Sequence, residues 1–359
     1  MRICNDARNQ TRLRQPLVAA WFFVASLSMT FIAAFPAKTA AISSSDKATA
    51  PLGQQIFFDA TLSLNGDAAC SNCHRPTSGF ADIQPVSAGT GGRRGARNAP
   101  SLQALPAQVF FWDGRSGALE DAVLKAFSDP VELGLPDLAA LLERLKAQRR
   151  YAPAFSRAFG DSAITTPRVA AALSAYLRTL AARRTAFDRF VAGDTQALTA
   201  AAQRGRQLFE GRAQCASCHQ MSASPAMFTD REFHPSAVAP ETAANFPARV
   251  AAVLSRPATE ASGGPLPEDA ELGRFLVTRQ PRDIGAFRTP SLRNVAITAP
   301  YMHDGSVPTL PEAIDREIYY RTLQTGKPNT LTAEERADLL AFLQALTVEP
   351  PASAAPRRK

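Results

Sequence analysis

"CSNCH", residues 70–74, returns almost unchanged as "CASCH" at 215–219. Two thiols three positions apart lie on one helical turn and can reach the two vinyl groups of a single porphyrin. The imidazole of the next residue then faces the iron, and C-x-x-C-H is the attachment pattern of c-type haem. A thioredoxin-like redox pair would have no need of the His. A zinc site brings its second pair within about 20 residues, whereas these pairs lie at 70–73 and 215–218. Structural disulfides suit a secreted chain, but cysteines one turn apart make poor staples. The spelling predicts two covalently bound haems. One is held by Cys70 and Cys73 with His74 on the iron, the other by Cys215 and Cys218 with His219.

The chain has 359 residues and a net charge of +8, enough length for two domains of ordinary size. Arg2, Arg8, Arg12, Arg14 and Lys38 face only Asp6 in the first 40 residues, so the remainder is only mildly basic. No Lys/Arg run is interleaved with aromatics, which argues against nucleic-acid binding. The apolar stretch "PLVAAWFFVASLSMTFIAAF" (16–35) follows the arginines and leads into small residues. Residues 1–41 therefore read as a secretory signal cleaved near Ala40 or Ala41; an uncleaved membrane anchor is the competing reading. With the signal removed, a periplasmic chain free of the membrane is expected. Of five cysteines, only Cys4 lies outside the two motifs.

The motifs sit inside a longer repeat. "GQQIFFDATLSLNGDAACSNCH" (53–74) answers "GRQLFEGRAQCASCH" (205–219), and "NAPSLQALPAQVFFWDGRSGALEDA" (98–122) answers "RTPSLRNVAITAPYMHDGSVPTLPEA" (288–313). Each half reads as a helix entering the haem motif, a loop to an extended P-S-L segment, a D-G turn and a second helix. Apolar residues at i, i+3 and i+4 predict helices over 135–159, 167–190 and 332–346. Thr309 with Glu312, and Thr332 with Glu335, spell capping boxes. No run alternates as a strand. The expected fold is all-α, two cytochrome c-like haem domains related by internal duplication. Their expected bounds are 42–192 and 193–348, with a disordered tail over 349–359.

"FFWDGR", "DPVELG" and "GAFRTPSLRNVAITAPYMHDG", set in this repeat, resemble the di-haem bacterial cytochrome c peroxidase/MauG family over roughly residues 50–346. The resemblance implies that hydrogen peroxide reacts at the N-terminal haem and that the C-terminal haem passes electrons or stores an oxidising equivalent. It implies that Trp112 lies between the haems and that Glu132 is the distal acid. It also implies a calcium ion held by Asn98 and by the backbone oxygens of Thr298 and Pro300. Where the family usually has Gln and Pro, this chain has Ala122 and Ala126, which enlarge or dry the peroxide pocket.

The chain has only four histidines, and between His74 and Cys215 there is neither another His nor a Met. The first haem is therefore expected to be five-coordinate or water-bound. For the second, the family draws a Met or Tyr from the helix after "HDG". The usual spacing lands on Glu317, and Tyr319 follows two residues later. Tyr319 is the expected sixth ligand, with Tyr320, Glu317 and Met302 as alternatives. His234 is expected to bond a propionate or the backbone. His303 occupies the repeat position of Trp112 and is expected to order the interface.

The sequence thus predicts a periplasmic di-haem peroxidase fed by a small donor protein, a cytochrome c or cupredoxin. A MauG-like enzyme oxidising side chains of a partner protein is the alternative, and a non-enzymatic di-haem electron carrier is the third.

Overall fold

The computed structural model describes residues 43–103, 105, 109–180, 184–221, 225–236, 245–257 and 264–349. Residues 1–41, expected to be a signal, and residues 350–359 of the expected tail lie outside them. Twelve α-helices occur among the described residues: α1 (Ser44–Phe57), α2 (Cys70–Cys73), α3 (Leu119–Ser128), α4 (Leu138–Ala147), α5 (Tyr151–Phe159), α6 (Thr166–Thr179), α7 (Ala186–Val191), α8 (Ala200–Glu210), α9 (Phe246–Ser255), α10 (Phe275–Thr278), α11 (Leu310–Thr325) and α12 (Ala333–Gln344). None is long and apolar enough to cross a membrane. Both capping boxes form: Thr309 with Glu312 opens α11 and Thr332 with Glu335 opens α12. The expected helix over 135–159 is broken into α4 and α5 by the polar stretch 148–150.

One glycine in each half lets two helices touch backbone to backbone. A Cβ on Gly53 of α1 would collide with the Ala172 carbonyl of α6, and a Cβ on Gly205 of α8 would collide with the Asp338 carbonyl of α12. Any side chain there would force the pair apart, so glycine is required for the close approach.

Around these crossings lie two separate apolar cores. The first gathers Phe57, Phe127, Leu141, Phe155, Leu173 and their neighbours. The second is built on Phe187, Phe209, Phe228 and Phe342, packed edge to face with centroids 5.1–6.3 Å apart. Each such buried ring contributes about 1.5–3 kcal/mol by leaving water. Phe187 of α7 belongs to the second core, whereas Leu180 packs against the first. Arg293 ties α7 in place through two bonds to Asp188, of 2.9 and 2.6 Å. Glu349, placed in the tail by the sequence, is instead held by Arg189 at 2.9 Å.

Among the described residues the fold is mostly helical, with one two-stranded sheet that the all-α expectation did not include. β1 (Phe233–Pro235) pairs antiparallel with β2 (Ala286–Arg288), setting Phe233 opposite Arg288. Three residues are too few to show a period of two. The pairing matters because it fixes Arg288 beside Trp112, whose carbonyl accepts the Arg288 N–H at 2.8 Å.

Candidate active site

Cys70 and Cys73 occupy the single turn of α2, and His74 caps it. The His74 Nδ1 donates to the Phe80 carbonyl at 3.0 Å. That carbonyl is aimed by a left-handed Phe80 (φ 58°), and Ser101 Oγ holds the preceding Gly79 carbonyl at 2.5 Å. The second half repeats the device. His219 Nδ1 donates to the Phe228 carbonyl at 2.9 Å, Phe228 has φ 53°, and Ser291 Oγ donates to the Met227 carbonyl at 2.6 Å. In both, Nδ1 carries the proton and Nε2 keeps its lone pair, the tautomer a metal-ligating imidazole needs. Burial lowers both imidazole pKa values, which keeps the rings neutral.

Each His, with its two cysteines, lines a cavity of about 270 Å³. All four cysteines are free of disulfides. Burial pushes Cys70 and Cys215 up to about 12 and Cys73 to about 11, so these three sulfurs sit as neutral groups in apolar surroundings. Neutral sulfur, a ligating imidazole nitrogen and apolar walls fit a c-type haem in each cavity.

In the first cavity, α3 contributes Ala122, Val123 and Ala126, and the turn after it contributes Glu132. Desolvation, reinforced by Asp129 and opposed by Arg115, pushes Glu132 up to about 7. Its backbone is fixed at both ends, by Glu132 N–H to the Asp129 carbonyl and Thr90 N–H to the Glu132 carbonyl. Among the described lining residues there is no Met, Tyr, Lys or second His.

In the second cavity α11 presents Leu310, Ala313, Ile314, Glu317, Ile318 and Arg321. Tyr319, the sixth ligand expected from the sequence, is 64% exposed and is not among the residues lining this cavity. Two residues along a helix turn a side chain to the far face, so Glu317 faces the cavity and Tyr319 faces solvent. The Glu317 carboxylate makes no hydrogen bond or ion pair among the described residues, and burial raises its pKa against the pull of Arg321 and Arg316. Arg321 donates to Cys218 Sγ at 3.0 Å. Tyr320 and Met302 also reach the wall. His234 pairs with Asp230 at 2.7 Å. His303 is buried, stacks on Phe287 at 3.7 Å and bonds Glu271 at 3.0 Å.

Between the cavities runs a shared wall. Asn98, Pro100, Ser101, Trp112, Arg288, Pro290 and Ser291 line both. The Trp112 indole N–H donates to the Asn98 carbonyl at 2.8 Å, and Asn98 N–H donates to the His303 carbonyl at 2.8 Å. Asn98, Thr298 and Pro300 all line the second cavity. The carbonyls of Thr298 and Pro300 accept no hydrogen bond among the described residues, which leaves hard oxygen donors of the kind calcium takes. Arg288 stands inside the quoted "FRTPSL" motif, yet the sequence assigned it no role; nothing in one residue's type reveals that its acid partner is missing.

Two helical units, each closing on a cavity lined by the two cysteines and the histidine of a C-x-x-C-H motif, define two cytochrome c-like domains. Residues 47–196 match the family described as di-haem cytochrome c peroxidase, and residues 202–347 match cytochrome c. The methylamine utilization protein MauG of Methylophilus methylotrophus is 34% identical over 313 residues, covering 84% of this chain and 82% of the relative. Cytochrome-c peroxidase IdrP2 of Denitromonas iodatirespirans is 33% identical over 306 residues, covering 83% and 81%. A solved MauG-like protein associated with microbial copper homeostasis superposes with a TM-score of 0.69 at 32% identity, over 86% of this chain and 91% of that one. The chain belongs to the di-haem cytochrome c peroxidase/MauG family: it is a peroxidase-type oxidoreductase with haem cofactors.

Proposed function

We propose that the chain reduces hydrogen peroxide in the His74 cavity, with electrons that enter through the His219 cavity from a small donor protein, a cytochrome c or cupredoxin. The observation that carries this reading is the pairing of an acid near neutrality, Glu132, with an indole, Trp112, that lines both cavities. A haem in each cavity, when bound, supplies the redox chemistry of O–O cleavage: two electrons and two protons convert peroxide to two waters. Cys70, Cys73 and His74 would hold one haem, and Cys215, Cys218 and His219 the other, the thiols by attachment and the imidazoles by ligating nitrogen. Glu132 takes a proton from one peroxide oxygen and returns it to the other, which favours heterolysis. Trp112 relays electrons across the shared wall. Ala122 and Ala126 leave the peroxide side of the cavity apolar. Asn98, Thr298 and Pro300 hold a calcium ion that stiffens that wall. The matched crossings at Gly53 and Gly205, and the matched His–Phe–Ser clamps, support an origin by duplication. Residues 1–41 direct the chain to the periplasm.

A second reading keeps the same site and replaces the donor with oxidisable side chains of a protein partner. It is favoured by the oxygen, rather than thioether, that α11 turns to the second cavity. Rapid mixing of the holoprotein with one equivalent of hydrogen peroxide decides between enzyme and carrier. Fast bleaching of the haem absorbance is expected, and a spectrum unchanged over seconds would end the peroxidase reading. Turnover with a reduced small cytochrome c or cupredoxin then separates the two enzyme readings.

Glu317, which lines the second cavity where Tyr319 does not, would supply an oxygen ligand to the haem held there. An anionic oxygen favours ferric iron, so Glu317→Gln should raise the reduction potential of that haem and change its electron paramagnetic resonance g-values. Tyr319→Phe should change neither. A spectrum that responds to Tyr319→Phe but not to Glu317→Gln would reverse the assignment.

A further inference from the structure

Arg288 is a buried charge whose protein surroundings do not neutralise it. It is 7% exposed and lines both cavities. Its acceptors are main-chain carbonyls: Nε donates to Phe111 at 3.2 Å and Nη1 to Thr289 at 3.5 Å. Among the described residues no carboxylate forms an ion pair with it, and burial alone pulls its pKa down to about 10. Its neighbours are treated differently. Arg97 meets Asp113 at 2.7 Å, and Arg293 meets Asp188 at 2.6 Å. A buried guanidinium without an anion is costly, and proteins pair such groups.

The missing anion has a chemical source. Every c-type haem carries two propionate carboxylates, and each cavity has Arg288 in its wall. A guanidinium has five N–H donors in a planar fork, enough to serve two carboxylates while keeping a main-chain bond. The position is also fixed: β2 pairs with β1, and the Arg288 N–H is bonded to Trp112.

We propose that Arg288 is the shared counter-ion of the two haems, its guanidinium bonding one propionate carboxylate of each. A single positive charge then holds both reduction potentials up and links the two cofactors through one side chain beside Trp112. Arg288 is a positioning residue, since it acts on the irons only through the propionates.

The inference rests on both cavities binding haem, so haem content is measured first, by the pyridine haemochrome assay. Fewer than two haems in the wild type overturns the two-haem reading itself. With two present, spectroelectrochemical titration of the wild type, Arg288→Gln and Arg288→Lys tests the inference alone. Both midpoint potentials should move to more negative values in Arg288→Gln, and Arg288→Lys should bring both back toward the wild type. Movement of only one potential, of neither, or equally in both variants overturns the proposal. Should the variants lose haem, a crystal structure of the wild-type holoprotein decides. An Arg288 nitrogen must lie within hydrogen-bond distance of a propionate oxygen of each haem, and a haem without that bond refutes the shared role.

Discussion

Glu132→Gln is expected to slow the reaction with hydrogen peroxide by about 10²–10⁴ and to flatten its pH profile. The wild-type carboxyl, pushed up to about 7 by burial in the cavity, is split between acid and base near neutrality. Accepting the peroxide proton requires the carboxylate. The wild-type rate should therefore fall as pH drops through about 7 and level off above it. Gln has the same shape and cannot take a proton, so the step at pH 7 should vanish with the rate. The stability effect runs the other way. A carboxyl whose pKa rises on folding favours the fold while neutral, and loses that advantage as pH rises from its unfolded value through about 7. Gln removes the loss, so the variant should melt no lower than the wild type at pH 8. Loss of rate without loss of thermal stability separates proton transfer from a packing role. A variant within a few-fold of the wild type across this range would remove Glu132 from the chemistry.

What could be read from the sequence follows from which constraints are local. C-x-x-C-H is fixed by covalent chemistry over five residues, so Cys70, Cys73 and His74 could be placed without a fold. The capping boxes of α11 and α12 are likewise spelled within four residues. The expectation for Tyr319 rested on spacing alone, whereas which α11 side chains reach the cavity depends on how that helix is rotated against it. The signal was present: Leu310, Ala313, Ile314 and Ile318 mark the inward face, and Glu317 lies on it. The β1–β2 pair joins segments some fifty residues apart through three residues each, and short pairings leave no periodic trace. The assignment of α7 to the second core also required tertiary contacts, since Phe187 reads equally well as the end of the preceding helical run. Arg288 was hidden for a different reason. Its meaning is the lack of a carboxylate ion pair among the described residues, which only three-dimensional neighbours reveal.

Trp112→Phe is expected to leave the peroxide reaction in the His74 cavity intact and to abolish the fast oxidation of the haem in the His219 cavity. Glu132, Ala122 and Ala126 line the first cavity, and Glu132 does not depend on the indole for its backbone bonds. The indole itself borders both cavities, and its N–H is held by the Asn98 carbonyl at 2.8 Å. Phe keeps an apolar ring on the same backbone, because the Arg288 N–H bond is to the main-chain carbonyl of residue 112. What is lost is the more easily oxidised ring and its hydrogen bond into the Asn98–His303 strand of contacts. After one equivalent of peroxide, the first haem should respond at the wild-type rate while the second stays spectrally unoxidised. Glu132→Gln predicts the opposite order of failure, with neither haem responding promptly. Because the two residues act on successive steps, the double variant should show the slow first step of Glu132→Gln and, when that step finally occurs, the silent second haem of Trp112→Phe. Oxidation of the second haem at the wild-type rate in Trp112→Phe would mean that electrons cross the shared wall by another route, and Trp112 would then be a packing residue.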